Sequence, residues 1–444
     1  MTNYKTILKE LFGLAENEPV FESPFKGGFE GVGTNIVSKT KGDRVIWAIV
    51  VILTVMSLLV VYSSTGSLAY KYSKSTESFL FKQFAFIILG VIIIYFAHRV
   101  NYTIYSRIAL ILFLVSIPLL LYTLFFGVQL NAGSRWIKLP VINMTFQTSD
   151  LAKLALFMYL SRQLSRKQEV IKDFRKGFVP VIVPVLLTCA LILPANLSNA
   201  LLTGATSLLL LFIGRVSFKH LLLVIGVALV PVLIIVSVAV TTYHGNQNPD
   251  VTSTASTSVS SALNSFGRFG TWVKRVQDFM YAKSDEVPYQ VQQANIAIAN
   301  GGIFGKGPGN STQRNYLPQA YNDFIFDIII EEYGLVGGAF IIFFYLIFLF
   351  RCIRIFRRCP YAFGAFLALG LSFTLMIQAM ANMAVNVNIV PVTGVTLPLI
   401  SMGGSSYLFT CAAIGIVLSV ARNVEQLEGR DTPVAPGTDD SATA

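Results

Sequence analysis

Four carboxylates within ten residues, beside a long apolar run, are the side chains in this sequence best suited to chemistry. They are Asp323, Asp327, Glu331 and Glu332, in a chain with only 23 acidic residues in 444. Residues four apart on a helix drift by about 40°, so Asp323, Asp327 and Glu331 are predicted to form one acidic stripe. A carboxylate at membrane depth costs several kcal/mol unless it faces a cavity or a partner. The group is therefore a candidate site for proton transfer or cation binding.

Glycines and cations precede these acids. Five glycines lie between Gly301 and Gly309, where they allow tight turns and close approach to a ligand. Lys306 and Arg314 add positive charge, so this loop could hold an anion beside a proton acceptor. The alternative is an ordinary loop before a helix whose acids stabilise its N-terminus. That alternative is stronger for the last two acids of the group.

Composition places the chain in a membrane. It is 54% hydrophobic and 13% charged, with a mean hydropathy of +0.64, whereas soluble domains average about 25% charged residues. The net charge of +11 would suggest a nucleic-acid partner in a soluble chain. Here it reflects basic loops that fix topology, so we expect no nucleic acid. The four cysteines and three histidines form no metal-ligand spacing, which predicts neither a disulfide nor a zinc site.

Ten segments approach the roughly 20 apolar residues that a membrane-spanning helix needs. They are Val45–Ser63, Phe79–Ala97, Tyr105–Phe126, Leu151–Leu160, Phe178–Leu193, Ala200–Ile213, Leu221–Val240, Asp323–Phe350, Ala362–Val385 and Tyr407–Val420. The fourth is short and semi-polar, so we expect its neighbours to extend it. The sequence predicts an all-α polytopic membrane protein with about ten transmembrane helices. Residues 43–422 form its membrane domain, with a large extracytoplasmic loop over 243–320 between helices 7 and 8.

Charge in the connections predicts the orientation. The connections after the fourth and eighth segments are strongly basic, so they and both tails, 1–42 and 423–444, are predicted to be cytoplasmic. Residues 128–150, 195–199 and 386–406 then lie outside, with the acidic group. A site there disfavours ATP as a substrate. Activated lipid-linked donors fit better, because they carry their own leaving group.

Four outward segments contain motifs more specific than linkers. They are Gly133–Lys138 with Phe146–Lys153, Pro288–Ser311, Leu317–Leu335, and Thr393–Ser406. In this order on a ten-segment chain they resemble the SEDS family, which includes FtsW, RodA and SpoVE. The resemblance covers about residues 44–422.

The family resemblance implies a peptidoglycan glycosyltransferase that polymerises lipid II outside the bacterial cytoplasmic (inner) membrane. It also implies work with a class B penicillin-binding protein. The chain is most similar to FtsW, the family member that acts in cell division. This similarity implies that other division proteins and membrane lipid are further partners, and that the protein is located at the division septum. A RodA-type role in elongation stays open.

The family's essential aspartate matches Asp323 in the sequence Tyr-Asn-Asp-Phe-Ile-Phe. Transfer from an α-linked sugar pyrophosphate to give a β-linkage needs one inversion, with a base that takes the acceptor's proton. An outward carboxylate at a helix start suits that role. It could instead hold a divalent cation, Mg²⁺ or Mn²⁺, against the pyrophosphate, and the sequence leaves both roles open.

The resemblance also suggests substrate-binding residues. Lys153 matches a family lysine and is predicted to bind pyrophosphate, with a lysine snorkelling at the membrane surface as the alternative. Arg135, Lys306 and Arg314 are further phosphate candidates, against interfacial or solvated charges. Gln293 and Asn295, on a predicted amphipathic helix, are candidates for sugar binding.

Three departures from the family pattern matter. Asn196 stands where an acid is usual, Asp327 where an apolar residue is usual, and Met402 where a tyrosine is usual. Asp327 would support Asp323 if the two carboxylates were close, because like charges raise one pKa. The alternative is that Asp327 pairs with a basic residue.

Two other function classes remain. Acids, glycines and prolines in the membrane also suit a transporter or flippase of lipid-linked precursors. A scaffold for division proteins is the third hypothesis. The clustering of polar groups on one side favours the enzyme over the flippase, and the intact Asp323 and glycine loop favour it over the scaffold.

Overall fold

Twelve α-helices account for most of the chain that the computed structural model describes, which is residues 42–66, 76–130, 133–139, 144–247, 269–281 and 287–431. The helices are α1 Arg44–Ser64, α2 Thr76–Arg99, α3 Tyr102–Phe126, α4 Thr148–Arg166, α5 Val179–Ile192, α6 Leu197–Ile213, α7 Phe218–Gln247, α8 Phe269–Tyr281, α9 Tyr289–Gly301, α10 Ile325–Arg358, α11 Ala362–Asn386 and α12 Ser405–Asp431. Each of the ten predicted segments overlaps one of these helices. The fourth is extended on both sides, as expected.

Within the described ranges, eight helices are long and apolar enough to cross a membrane. The two predicted segments outside this group are α4, which is rich in polar and charged residues, and α6, which has 17 residues. The prediction of an all-α polytopic membrane protein is confirmed. The number of crossings, ten, stays a prediction. Residues 1–41 and 432–444 lie outside the described residues, and α12 continues through the start of the predicted C-terminal tail.

The centre of the bundle is α11, which packs against α4, α6, α10 and α12. Leu367, Ala368 and Leu371 are among its fully enclosed side chains. By contrast, α7 exposes much of its apolar surface, with Val227 and Leu233 more than half exposed. Exposed apolar surface on a spanning helix faces lipid and not water, so α7 is peripheral.

A three-stranded antiparallel sheet lies between α3 and α4 and was not predicted. Its strands are β1 Val128–Leu130, β2 Gly133–Leu139 and β3 Met144–Gln147, in the order β1-β2-β3. The segment had been predicted as an outward loop, because each strand is too short to show clear alternation. The backbone N–H of Gln147 donates to Ser405 Oγ at 3.1 Å, which attaches the sheet to the start of α12.

The predicted large loop contains two helices. The part of 243–320 that the structure describes includes α8 and α9, while residues 248–268 and 282–286 lie outside the described residues. Two apolar residues of α8, Trp272 and Val273, pack on Ile235 and Ala239 of α7. Gln277 Nε2 donates to the Ala239 carbonyl at 3.0 Å. The loop is therefore anchored to the membrane domain at α7.

Candidate active site

Asp323 lies in the turn just before α10 and is held by its main chain. Its carbonyl oxygen accepts hydrogen bonds from Asn382 Nδ2 at 2.8 Å and Asn386 Nδ2 at 3.1 Å, both on α11. The side chain is half-buried. A Cβ added at Gly394 would lie 3.4 Å from Asp323 Oδ2, so the carboxyl group rests against the backbone turn at Gly394. Because the anchoring bonds reach the backbone, they do not consume the carboxylate's acceptor capacity.

The segment 387–404, between α11 and α12, covers the turn that contains Asp323. Ser401 Oγ donates to the Asn322 carbonyl at 2.7 Å and accepts from the Leu397 amide at 2.8 Å. The Met402 amide donates to the Tyr321 carbonyl at 3.0 Å. The segment therefore packs directly against the turn that contains Asp323.

A second charged residue, Arg275 on α8, reaches the same place. Its Nη1 donates to the Val392 carbonyl at 3.0 Å, two residues from Gly394. Burial lowers the pKa of Arg275, and the negative charge of Asp323 partly opposes that shift. The two side chains are thus within electrostatic reach. Arg275 is not among the predicted site residues, although an apolar stripe through Trp272, Val273 and Val276 indicates the helix that carries it.

Beside the site, the glycine-rich loop and α10 exchange main-chain hydrogen bonds at what we call the glycine crossing, residues 301–307 against 331–336. The Lys306 amide donates to the Glu331 carbonyl at 2.9 Å, and the Leu335 amide donates to the Gly302 carbonyl at 3.0 Å. The helix is broken at Gly334, whose φ of 70° and ψ of −170° are not helical. The loop therefore supplies the hydrogen bonds that the broken helix lacks.

Glu331 and Glu332 are fully buried and hold the loop in place. Glu331 Oε1 accepts from Lys306 Nζ and from Thr312 Oγ1, each at 2.8 Å. Glu332 accepts from the hydroxyl of Ser63 at the end of α1. These contacts favour the structural interpretation of both acids.

Lys306 and Arg314 are predicted phosphate ligands, and both contact residues of the hydrogen-bonded group around Glu331 and Glu332. Lys306 forms the ion pair with Glu331 and keeps about a third of its side chain exposed. Arg314 Nη1 donates to Ser63 Oγ at 3.0 Å and to the Ser63 carbonyl at 3.3 Å. A phosphate would have to share these groups, and their substrate role stays a prediction.

Lys153 is buried in an ion pair on α4. Its Nζ lies 2.9 Å from Asp150 Oδ1 and 3.4 Å from Asn199 Oδ1, and it is 8% exposed. Lys153 and Asp150 line a cavity of about 30 Å³ with Gln378 of α11. The lysine does not snorkel to a surface. Its pyrophosphate contact stays a prediction, and its partner Asp150 is not among the predicted site residues.

Other predicted residues are placed as follows. Asn196, at the position of the usual acid, caps α6 by accepting from the Asn199 amide at 3.3 Å. On α9, Gln293 is half-buried and Asn295 is exposed, consistent with the predicted amphipathic helix. Arg135 lies on β2, and its side chain is outside the described residues. Sugar binding by α9 and phosphate binding by Arg135 stay predictions.

Asp327 is fully buried on α10, and neither carboxylate oxygen has a hydrogen-bond partner among the described residues. Because α10 begins at Ile325, Asp323 precedes the helix. The predicted acidic stripe therefore does not begin at Asp323. A buried polar group without a partner lowers stability.

Replacing Asp327 by alanine should therefore raise the free energy of unfolding, by about 1 kcal/mol once the loss of packing is included. Thermal unfolding of the purified protein in detergent measures this. Glu331→Ala is the matched control and should lower the midpoint, because every contact of that carboxylate is lost. A lower midpoint for Asp327→Ala would mean that the carboxyl group has a stabilising partner.

In the described ranges, no group of three or more His, Cys, Asp or Glu side chains converges as a metal site. A Mg²⁺ ion is commonly held by one or two carboxylates together with substrate phosphates. The single carboxylate of Asp323 fits that pattern, with the remaining ligands coming from a substrate.

Known proteins share this architecture. The chain is 31% identical over 397 residues to a protein of Trichlorobacter lovleyi named "Probable peptidoglycan glycosyltransferase FtsW", covering 88% of this chain and 96% of the relative. It is 30% identical over 393 residues to the stage V sporulation protein E of Bacillus subtilis, covering 86% of this chain and 98% of the relative.

Two solved structures are also similar. One is a chain of a peptidoglycan synthase complex, whose description concerns coordination of polymerization and crosslinking, and the other is the rod shape determining protein RodA of Thermus thermophilus. The first has a TM-score of 0.65 at 23% identity and covers 87% of this chain and 99% of that one. The second has a TM-score of 0.59 at 21% identity and covers 86% and 97%.

A sequence match over nearly the whole membrane domain decides the family. Residues 43–426 match the family of FtsW, RodA and SpoVE, described as a cell cycle protein. The match includes α1 to α11 and most of α12, and these contain all the elements that position Asp323. The chain belongs to the FtsW, RodA and SpoVE family.

Proposed function

We propose that this protein is a peptidoglycan glycosyltransferase that polymerises lipid II at the outer face of the cytoplasmic membrane, for septal synthesis in cell division. The proposal rests on the position of Asp323, a half-buried carboxyl group anchored through its backbone beside Arg275. Its relatives named peptidoglycan glycosyltransferase FtsW support the reaction class, and the description of the family as a cell cycle protein supports the division role. The alternative within the family is elongation.

The reaction that fits this geometry is an inverting transfer. The carboxylate of Asp323 takes the proton from the acceptor sugar's hydroxyl, and that oxygen attacks the anomeric carbon of the donor. The bond from this carbon to the pyrophosphate oxygen breaks, and undecaprenyl pyrophosphate leaves with the electron pair. Arg275 stabilises the charge on the leaving group, because a guanidinium pairs well with phosphate oxygens.

The predicted cation role of Asp323 is compatible with the same site. A bound Mg²⁺ or Mn²⁺ would be held by this carboxylate and would neutralise the pyrophosphate. In that case the proton acceptor is another group. The two roles of Asp323 can therefore be distinguished by whether polymerisation requires a divalent cation.

We also propose the orientation and the partner. The end of α10 opposite Asp323 holds Arg351, Arg354, Arg357 and Arg358, which supports a cytoplasmic location for that end and for both tails. A class B penicillin-binding protein is the proposed partner, supported by the similar chain in a peptidoglycan synthase complex.

Polymerisation of labelled lipid II by the purified full-length protein with its transpeptidase partner tests the function. We expect glycan strands that a muramidase digests, and the same yield with EDTA if Asp323 is the base. Loss of product with EDTA, and its recovery with Mn²⁺, would indicate that Asp323 acts as a metal ligand. Absence of polymer, together with transfer of lipid II across the membrane of proteoliposomes, would instead show that the protein is a transporter.

A further inference from the structure

An arginine-lined cavity lies at the end of the bundle far from Asp323. It has a volume of about 270 Å³ and sits between the start of α1 and the ends of α10 and α12. Four arginines line it, together with two acids and a partly apolar wall. The arginines are Arg44, Arg351, Arg354 and Arg358. This cavity has no part in the proposed transfer, because the length of α10 separates it from the aspartate.

Both acids of the cavity hold the helix ends together. Asp43 caps α1 by accepting from the Val45 amide at 2.9 Å, and it accepts from Arg351 Nε at 2.6 Å. Glu425 Oε2 accepts from the Gly42 amide at 2.7 Å. Among the described residues that line the cavity, four guanidinium groups therefore face two carboxylates, an excess of positive charge.

The shape and surroundings of the cavity favour an amphipathic anion. Arg354 and Arg358 are exposed and one helical turn apart, so both can contact one ligand. Val45 and Ile355 form part of the apolar wall. Two turns before Arg358, Phe350 is 63% exposed on the lipid-facing surface of α10. The cavity therefore lies where the apolar span gives way to charge.

We propose that this cavity binds the phosphate headgroup of an anionic phospholipid, with the acyl chains against the apolar surface of α10. Guanidinium groups pair with phosphate oxygens through two parallel hydrogen bonds. Basic pockets between transmembrane helices at a membrane surface bind acidic headgroups by this chemistry. The volume is near the lower limit of about 300 Å³ for ligand pockets, so one headgroup fits and a large soluble ligand does not.

Native mass spectrometry of the delipidated full-length protein, with added dioleoyl phosphatidylglycerol or dioleoyl phosphatidylcholine, tests the proposal. We expect the wild type to retain phosphatidylglycerol preferentially. The double substitution Arg354→Gln/Arg358→Gln should weaken that binding roughly 30-fold. The matched control is Arg162→Gln/Arg166→Gln, which removes the same charge one turn apart on α4, outside the cavity, and should bind as the wild type does.

Three results would overturn the proposal. The first is unchanged phosphatidylglycerol binding in the Arg354→Gln/Arg358→Gln variant, and the second is an equal loss of binding in the α4 control. The third is displacement of the lipid by millimolar inorganic phosphate, which would indicate a site for free anions. Thermal unfolding of the double variant checks that it keeps the fold. The single substitutions, each expected to weaken binding about fivefold, provide the same test if the double variant unfolds.

Discussion

Replacing Asp323 by asparagine should lower the rate of lipid II polymerisation by at least about a hundredfold, because a positioned base contributes about 10²–10⁴ in rate. The fold should survive, since Asn382 and Asn386 donate to the main-chain carbonyl of residue 323 and not to its side chain. The measurement is the initial rate of glycan formation with the partner transpeptidase. Thermal unfolding of the same samples checks the fold.

The control for this experiment is Asp278→Asn. It removes a carboxylate from α8, one turn from Arg275, and should keep most of the polymerisation rate. A folded Asp323→Asn variant with more than about a tenth of the wild-type rate would contradict a base that contributes so much. Recovery of that variant by excess Mn²⁺ would instead support a metal-ligand role.

Replacing Gly334 by alanine should prevent stable folding. An added Cβ would lie 2.1 Å from the Ile303 carbonyl oxygen and 2.6 Å from the Gly305 nitrogen, and both atoms belong to the backbone. The backbone angles at Gly334 lie in a region that only glycine adopts readily, at a cost of about 1–3 kcal/mol for other residues before any clash. We expect a total loss above about 3 kcal/mol, measured by thermal unfolding and by the yield of monodisperse protein in detergent.

Gly309→Ala is the matched control for the glycine crossing. Gly309 also has a positive φ, 77°, but an added Cβ would meet nothing within 4 Å. It should cost only the backbone strain, about 1 kcal/mol. Equal thermal midpoints for Gly334→Ala and Gly309→Ala would show that the crossing can relax.

The helices were predictable because length and apolarity decide them. The first segment is predicted at Val45–Ser63, and the observed helix α1 is Arg44–Ser64. The two agree because the charged Arg44 ends the apolar run and Asp43 caps the helix at its start. The fourth was harder, because buried polar groups such as Asp150 and Lys153 interrupt its apolar face. Those two residues form an ion pair inside the bundle, which one sequence does not reveal.

The acidic group shows where prediction from spacing ends. Spacing placed Asp323, Asp327 and Glu331 on one stripe, yet they have three different surroundings. Asp323 lies in a turn, Asp327 is enclosed, and Glu331 binds Lys306. Which loop packs over a helix decides these outcomes, and loop packing is a long-range property.

Arg275 was missed for a related reason. The segment 243–320 is mixed in charge and was treated as one large loop. Its helix α8 packs on α7, and only that contact brings Arg275 to Val392 and Asp323. The apolar stripe of α8 predicts a helix, but the partner of that stripe cannot be read from the stripe itself.

The glycine crossing also limits how this chain can vary in length. The amides of Lys306 and Gly307 donate to the Glu331 and Glu332 carbonyls, and the amides of Leu335 and Val336 donate back to the Gly302 and Ile303 carbonyls. An insertion or deletion of a single residue between positions 302 and 306 would put one set of partners out of register with the other. Family members that keep this crossing should therefore keep the number of residues in it constant, even where the residue types change.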